Sequence, residues 1–337
     1  MNYKRVIITK FGEPEVLQMV EEKELPEPKS GEARIRILRT SANFTDVMIR
    51  KGKYPEVREK PPFSPGYDMI GVVDKLGSGT HGFQVGEKVA DLTVIGAYSE
   101  YMCLPASKLV HVPDNLDASE AVSLILSYTT AYQMLHRIAR ISEGKSILIH
   151  GAAGAVGIAL LQLGRLLNLK MYGTASMAKH AMVIKHGGIP IDYKTENFVE
   201  RVRKLTGNGV DAVFDPIGGD NFKKSFMTLK PGGILVAYGF YNAVMGKGGN
   251  IPLEFFKLLL WNSLPNNKKT SFYIITRLRK KHPEWFAEDL ATLFQLLALG
   301  KIKPEIAAHL SLEKAIEVHQ KIEKAEIEGK IVFDISQ

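Results

Sequence analysis

The residues best placed to do chemistry form one short run, Gly151-Ala-Ala-Gly154-Ala-Val-Gly157. It follows the apolar run Ser146–His150 directly and opens the helically spaced segment Ala155–Leu167. A glycine turn between a strand and a helix lets the backbone approach a pyrophosphate. The helix N-terminus then offers that anion its unpaired N–H groups. Ala153, Gly154, Val156 and Gly157 are therefore candidate cofactor contacts. The first glycine of the usual dinucleotide fingerprint is Ala152 here.

The next strand end selects the nicotinamide. An NAD site places Asp or Glu about 20 residues further on, to accept from the ribose 2′-hydroxyl. This chain has Gly173-Thr-Ala-Ser176-Met-Ala-Lys179-His180, with a hydroxyl and a cation but no carboxylate. A 2′-phosphate needs donors and positive charge. Ser176 and Lys179 are the expected ligands of that phosphate, with Tyr193 joining from the following strand end, so NADPH is the expected cofactor.

Positioning such a turn takes a particular set of elements. From Ala118 onward, short apolar strands alternate with helices. The strands are Ser146–His150, Lys170–Gly173, Ile189–Tyr193, Asp211–Asp215 and, after a Pro231–Gly233 turn, Ile234–Tyr238. The alternation predicts βαβ units and a doubly wound parallel sheet, an α/β fold. A single helix is expected over Ala118–Arg140, and another over Pro283–Leu299. The first third instead alternates apolar and polar residues between Gly/Pro turns, as in Arg34–Leu38, Gly71–Asp74, Lys88–Ala90 and Tyr98–Leu104. That pattern predicts an antiparallel, barrel-like β domain. Residues 243–271 are less regular and end in a polar loop, Asn262–Thr270. The tail Lys330–Asp334 reads as a strand returning to the first domain's sheet.

Composition narrows the function. The chain has 337 residues, suiting two domains, with 45% apolar and 24% charged content. A single cysteine, Cys103, excludes a disulfide framework and a cysteine-built zinc site. It also fits a reducing, cytoplasmic compartment. No secretory signal is evident, and no apolar run approaches the roughly 18 residues of a membrane span. The net charge of +8 falls in short groups such as Lys223-Lys224, Lys268-Lys269 and Arg277–Lys281. It forms no aromatic-interleaved ribbon, so a solvated basic surface is expected rather than nucleic-acid binding. The histidines are scattered without ligand spacing, and no Ser/His/Asp arrangement stands out. His150 and Asp215 read as structural, and Cys103 as a small buried hydrophobe.

Asn43-Phe-Thr-Asp46, Lys51-Gly-Lys-Tyr-Pro55, Pro65-Gly66, Val85-Gly86-Glu-Lys-Val89, Thr130-Ala-Tyr132 and His150-Gly-Ala-Ala-Gly154 occur in this order along the chain. In these segments the sequence resembles the zinc-independent quinone oxidoreductases of the medium-chain dehydrogenase/reductase superfamily. Ser176…Lys179-His180, Ile191-Asp-Tyr193 and Asp215-Pro-Ile-Gly-Gly219 look most like the vesicle amine transport protein homologue branch. The resemblance implies a GroES-like β-barrel domain from residues 1–125 and 276–337, and a Rossmann NADP-binding domain from 126–275. It also implies a homodimer, and a cleft where nicotinamide and substrate meet. Asn43, Thr130, Gly154, Val156, Ser176, Lys179, Tyr193 and Phe240 match cofactor-contacting positions.

Zinc alcohol dehydrogenases of the superfamily carry Cys where this chain has Asn43, a His-Glu pair at Tyr67-Asp68, and a third Cys near Leu126. The expectation is therefore a site without metal, acting on an acceptor that is already electrophilic: a quinone, or an alkene conjugated to a carbonyl. Tyr54, on the Lys-Tyr-Pro loop, and Asn43 are the candidate polar contacts to the acceptor oxygen, Tyr54 being alternatively an aromatic wall of the pocket. Tyr67 reads as packing. Two other functions stay open: a catalytically weak NADPH-binding protein acting through a partner or membrane surface, and an enoyl-thioester reductase. Ile251–Trp261 is a dimer surface, a lid or a peripheral membrane patch.

Overall fold

The computed structural model describes residues 1–265 and 267–335. Asn266 of the expected polar loop lies outside the described residues. The chain divides into two compact units, Met1–Leu126 with Leu290–Gln337, and Ser127–Asp289.

In chain order, β1 (Tyr3–Ile8) and β2 (Leu17–Glu22) precede β3 (Glu32–Ala42), α1 (Phe44–Arg50), β4 (Met69–Leu76), β5 (Lys88–Asp91), β6 (Tyr101–Pro105) and β7 (Val110–His111). A helical stretch follows: α2 (Ala118–Ser123), a π-turn segment, α3 (Thr129–Tyr132) and a second π-turn segment ending at Ile138. The single regular helix expected there is thus widened twice, the irregularity by which helices commonly make room for functional side chains. The second unit continues with β8 (Ser146–His150), α4 (Ala155–Leu166), β9 (Lys170–Ala175), α5 (His180–Lys185), β10 (Ile189–Asp192), α6 (Phe198–Thr206), β11 (Val210–Asp215), α7 (Asp220–Met227), β12 (Leu229–Ala237), α8 (Tyr241–Val244), α9 (Ile251–Asn262), β13 (Lys269–Phe272) and α10 (Ile275–Lys281). After α11 (Pro283–Ala298) come β14 (Ile306–Leu310), α12 (Ala315–Glu323) and β15 (Lys330–Asp334).

The second unit is a six-stranded parallel sheet in the order β10-β9-β8-β11-β12-β13. Its central strands read as continuous apolar runs because helices cover both faces; Ile147, Leu148 and Ile149 are fully buried. The expected Pro231–Gly233 turn is not a strand boundary. β12 runs through it, and the register irregularity against β11 falls between Val210 and Ala212, so the glycines serve as a bulge. The irregular region expected over residues 243–271 contains a regular twelve-residue helix, α9, capped by the Asn250 side chain.

The first unit pairs β14-β15-β3-β4-β5-β7 in one sheet, with β6 on the free stretch of β3. β3 alternates over Glu32–Ile37, with Ala33, Ile35 and Ile37 at zero exposure against Met69, Val73 and Val89. The tail strand does return: β15 pairs antiparallel to β3 in the register Ile331↔Ala42 and Val332↔Ser41.

Candidate active site

β8 is where the sheet's winding reverses, since its neighbours β9 and β11 lie on opposite sides; ligands of open α/β sheets gather at such points. The chain leaves β8 through Gly151, whose φ is +65°, a left-handed value that glycine adopts without strain. A Cβ on Gly157 would stand 2.4 Å from the Gly151 carbonyl oxygen and 2.6 Å from Ala152 Cα. Helix and strand therefore approach closely only because residue 157 lacks a side chain. The N-cap of α4 is Gly154, so no side chain caps the helix, and its first N–H groups and positive dipole end suit an anion. Ala153 is buried beneath this turn, and Val156 is partly exposed.

One strand over, Ser176 precedes the single turn Met177–Lys179 that follows β9, with no side-chain capping bond to it. The register Asp192↔Ala175 sets Tyr193, 56% exposed, beside it. Ser176, Lys179 and Tyr193 thus share one corner of the sheet's carboxyl edge. The neighbouring acid, Asp192, is buried and accepts from Lys194 N at 3.0 Å and from the Thr195 hydroxyl at 3.1 Å, closing its own turn. Thr130 is buried on α3 between the two π-turn segments. The Phe240 ring lies within an aromatic cluster, stacked on Phe272 at 4.7 Å between centroids and edge-on to Phe222. The Phe240 carbonyl accepts from Val244 N at 3.0 Å, opening α8.

Beneath the turn lies an arrangement that sequence reasoning passed over. The Ser225 hydroxyl donates to Asp215 Oδ2 at 2.6 Å and lies 2.9 Å from His150 Nε2, while His150 Nδ1 lies 3.0 Å from the Thr174 hydroxyl. Burial holds His150 below the ordinary histidine range, and a neutral ring satisfies both contacts by donating from Nε2 and accepting at Nδ1. Asp215 also accepts from Ile217 N and Asn221 Nδ2. Ser225 is fully buried, so this trio is a brace and not a nucleophile. It ties the ends of β8, β9 and β11 together. The one local signal was Ser225 on the inward side of amphipathic α7.

In the first unit, three adjacent strands converge. Asn43 follows β3, Asp68 precedes β4, and Lys330 opens β15. The Asn43 side chain caps α1 in a reciprocal box with Asp46. Its Nδ2 donates to the Ser41 carbonyl at 3.0 Å and to Asp68 Oδ2 at 3.3 Å. Lys330 Nζ donates to Asn43 Oδ1 and lies 3.9 Å from Asp68. Asp68 accepts from Ser41 N at 2.9 Å and from the Ser41 hydroxyl at 2.6 Å. The Ser41 N–H, the Ser41 hydroxyl and the Asn43 amide all donate to the Asp68 carboxylate, the pattern of an ionised acid. Burial alone raises Asp68 and lowers Lys330; each resists the shift of the other. Asp46 is pushed up to about 7, by burial first and by Asp68 second.

Tyr54, half-buried on the loop after α1, meets the hydroxyl of fully buried Tyr67 at 2.5 Å, with the rings edge-on. Tyr67 is packing with a polar end. Behind Asp46, the Tyr98 hydroxyl lies 3.3 Å from His319 Nε2, and Arg50 donates to His319 Nδ1 at 3.1 Å. An Nδ1 that accepts leaves the proton on Nε2, so His319 is neutral. Its burial, then the Arg50 charge, push its pKa down to about 3. Cys103 is half-buried with its thiol pushed up to about 11 by burial, which leaves little thiolate for nucleophilic chemistry.

Among the described residues, no cluster of three or more His, Cys, Asp or Glu side chains could hold a metal ion. No described helix is long and apolar enough to cross a membrane. α9 exposes Leu253 at 49%, Phe256 at 61% and Leu259 at 67%, while burying Leu258.

Residues 29–114 match the alcohol dehydrogenase GroES-like domain family, and residues 188–333 match the family described as zinc-binding dehydrogenase. The chain is 32% identical to the synaptic vesicle membrane protein VAT-1 homolog of Danio rerio over 340 residues, which cover 98% of this chain and 70% of that protein. It is 29% identical to the quinone oxidoreductase of Pongo abelii, covering 95% and 93% of the two chains. Its fold superposes on Escherichia coli quinone oxidoreductase, solved in complex with NADPH, with a TM-score of 0.87 at 28% identity, over 98% and 99% of the chains. A GroES-like unit and a Rossmann unit, carried on this sequence relationship, place the chain in the quinone oxidoreductase and VAT-1 branch of the medium-chain dehydrogenase/reductase superfamily.

Proposed function

We propose that this protein is an NADPH-dependent reductase of quinones or activated alkenes that works without zinc. The observation that carries the reading is the corner formed by Ser176, Lys179 and Tyr193 beside an uncapped α4, with Asp192 turned away into its own loop. That corner suits a 2′-phosphate and the α4 N-terminus suits a pyrophosphate. The Escherichia coli relative holding NADPH supports the same assignment.

When bound, NADPH supplies two electrons and a hydrogen nucleus as hydride. The protein's part is to orient the acceptor and to stabilise the negative charge that develops on its oxygen. Tyr54 is the group we assign to that oxygen. Tyr67 can donate to the Tyr54 oxygen, which frees the Tyr54 proton for the acceptor. Asn43, its amide engaged with Lys330 and Asp68, steadies the junction of β3 and α1.

The test is NADPH oxidation against a panel of quinones, enones, alkenals and crotonyl thioester, with NADH as the paired control. Turnover with NADPH preferred supports the reading, and the best acceptor names the substrate type. The exposed apolar face of α9 favours one second reading, an NADPH-binding protein acting through a surface contact. NADPH binding with no acceptor reduced would put that reading first.

A further inference from the structure

A zinc site needs Cys, His or carboxylate donors with lone pairs free for the metal. The positions where zinc dehydrogenases of the superfamily carry ligands hold Asn43, Tyr67 and Asp68 here. Asn43 Oδ1 accepts from the Lys330 ammonium, the Tyr67 hydroxyl is taken by Tyr54, and Asp68 already accepts from Ser41 and Asn43. A lysine within hydrogen-bond reach would also repel a divalent cation. These residues do not fit zinc, although residues 188–333 match the zinc-binding dehydrogenase family.

They do need a cation. Asp46 and Asp68 are both fully buried, and isolated carboxylates in such surroundings are very costly. Lys330, 3% exposed, is the positive group facing them. It comes from a strand of its own, set opposite Asn43 by the β15–β3 register. We propose that Lys330 is this protein's resident cation: a tethered ammonium that fixes Asn43 and Asp68 and, through Asp68, the chain neighbour of Tyr67, holds the Tyr67–Tyr54 hydroxyl pair in the position from which Tyr54 meets the oxygen of a bound acceptor. The ammonium keeps its proton throughout. It acts through Asn43 and the tyrosines and is a positioning residue. The part concerning the acceptor rests on the reductase reading above; the cation role does not.

Three full-length proteins test it: wild type, Lys330→Met, and the charge-balanced double variant Lys330→Met/Asp68→Asn. Each is measured for thermal midpoint, zinc uptake by calorimetry, kcat and KM with the best acceptor, and binding of 4-nitrophenol, whose absorbance reports its ionised form. Wild type is expected to take up no stoichiometric zinc and to bind the probe as phenolate. Lys330→Met should melt lower and bind phenolate at least about tenfold more weakly. Its kcat should fall by about 100-fold, in the range for a lost preorganised electrostatic contact, with KM little changed. The double variant should recover the thermal midpoint but neither kcat nor phenolate binding. Full recovery of both in the double variant would reduce Lys330 to a structural pair and overturn the proposal, as would tight zinc required for turnover. If wild type reduces no acceptor yet binds phenolate in a Lys330-dependent way, the reductase reading fails and the cation stands.

Discussion

The hydroxyls of Tyr54 and Tyr67 meet at 2.5 Å, one half-buried on a loop and the other sealed in the core. The buried hydroxyl of Tyr67 holds that of Tyr54 in place. Tyr54→Phe should lower kcat by about 100-fold or more, the usual worth of a general acid. Tyr67→Phe should cost about 1 kcal/mol of stability for the lost hydrogen bond and a smaller loss of kcat. Steady-state rates with the best acceptor decide it, and a Tyr54→Phe enzyme as fast as wild type removes Tyr54 from the mechanism.

On the proposed reading, Lys179 is assigned to the cofactor's 2′-phosphate. Lys179→Glu should weaken NADPH about 10- to 100-fold more than NADH, the cost of exchanging a charge-assisted contact for a repulsive one. Paired fluorescence titrations with the two cofactors give the ratio. Equal losses would sink the assignment.

Gly157→Ala adds a methyl group 2.4 Å from the Gly151 carbonyl, on rigid backbone. Overpacking of that kind costs about 1–3 kcal/mol, so the thermal midpoint should fall. Since the turn itself must shift, NADPH affinity should fall with it. Unchanged melting would mean that strand and helix have more room than 2.4 Å implies.

His319 gives a pH signature. Folded, it takes up a proton only near pH 3; unfolded, near its ordinary 6.5. Its contribution is therefore complete above pH 6.5 and is lost as the pH falls from there toward 3. Asp46, raised to about 7, works in the opposite direction over the upper part of that window. The readout is thus a difference between proteins. The stability gap between wild type and His319→Gln should shrink by about 1.4 kcal/mol per pH unit below 6.5. Urea melts at pH 7.5, 6.0 and 5.0 measure it. A gap that stays constant would mean that His319 binds its proton equally well folded and unfolded.

The candidate residues of the two units were unequally legible. The glycine turn and the Ser176–Lys179 corner are local: strand, turn and helix are consecutive, and apolar runs with glycine punctuation reveal them directly. The alternation of β3 likewise showed its core-facing side. Lys330 against Asn43 could not be read the same way. The two residues are 287 positions apart, and only the register of β15 on β3 brings them together. The His150–Ser225–Asp215 brace was hidden for a related reason. Each residue has an ordinary local explanation, and the link exists only once α7 packs over the sheet. The π-turns around Thr130 have no simple sequence signature, because widening a helix by one residue leaves its apolar spacing nearly intact.

The placement of β15 between β14 and β3 also has a consequence for the order in which the protein assembles. The strands of the second unit are contiguous in the chain, so that unit can acquire its whole sheet while synthesis continues. The first unit cannot. Until residues 330–334 have left the ribosome, β3 shows an open edge and Asp68 lacks its ammonium partner. Stalled chains of increasing length should accordingly gain protease resistance in the middle first, and in the N-terminal third last. On the ribosome, the earliest-made residues are among the last to find their place.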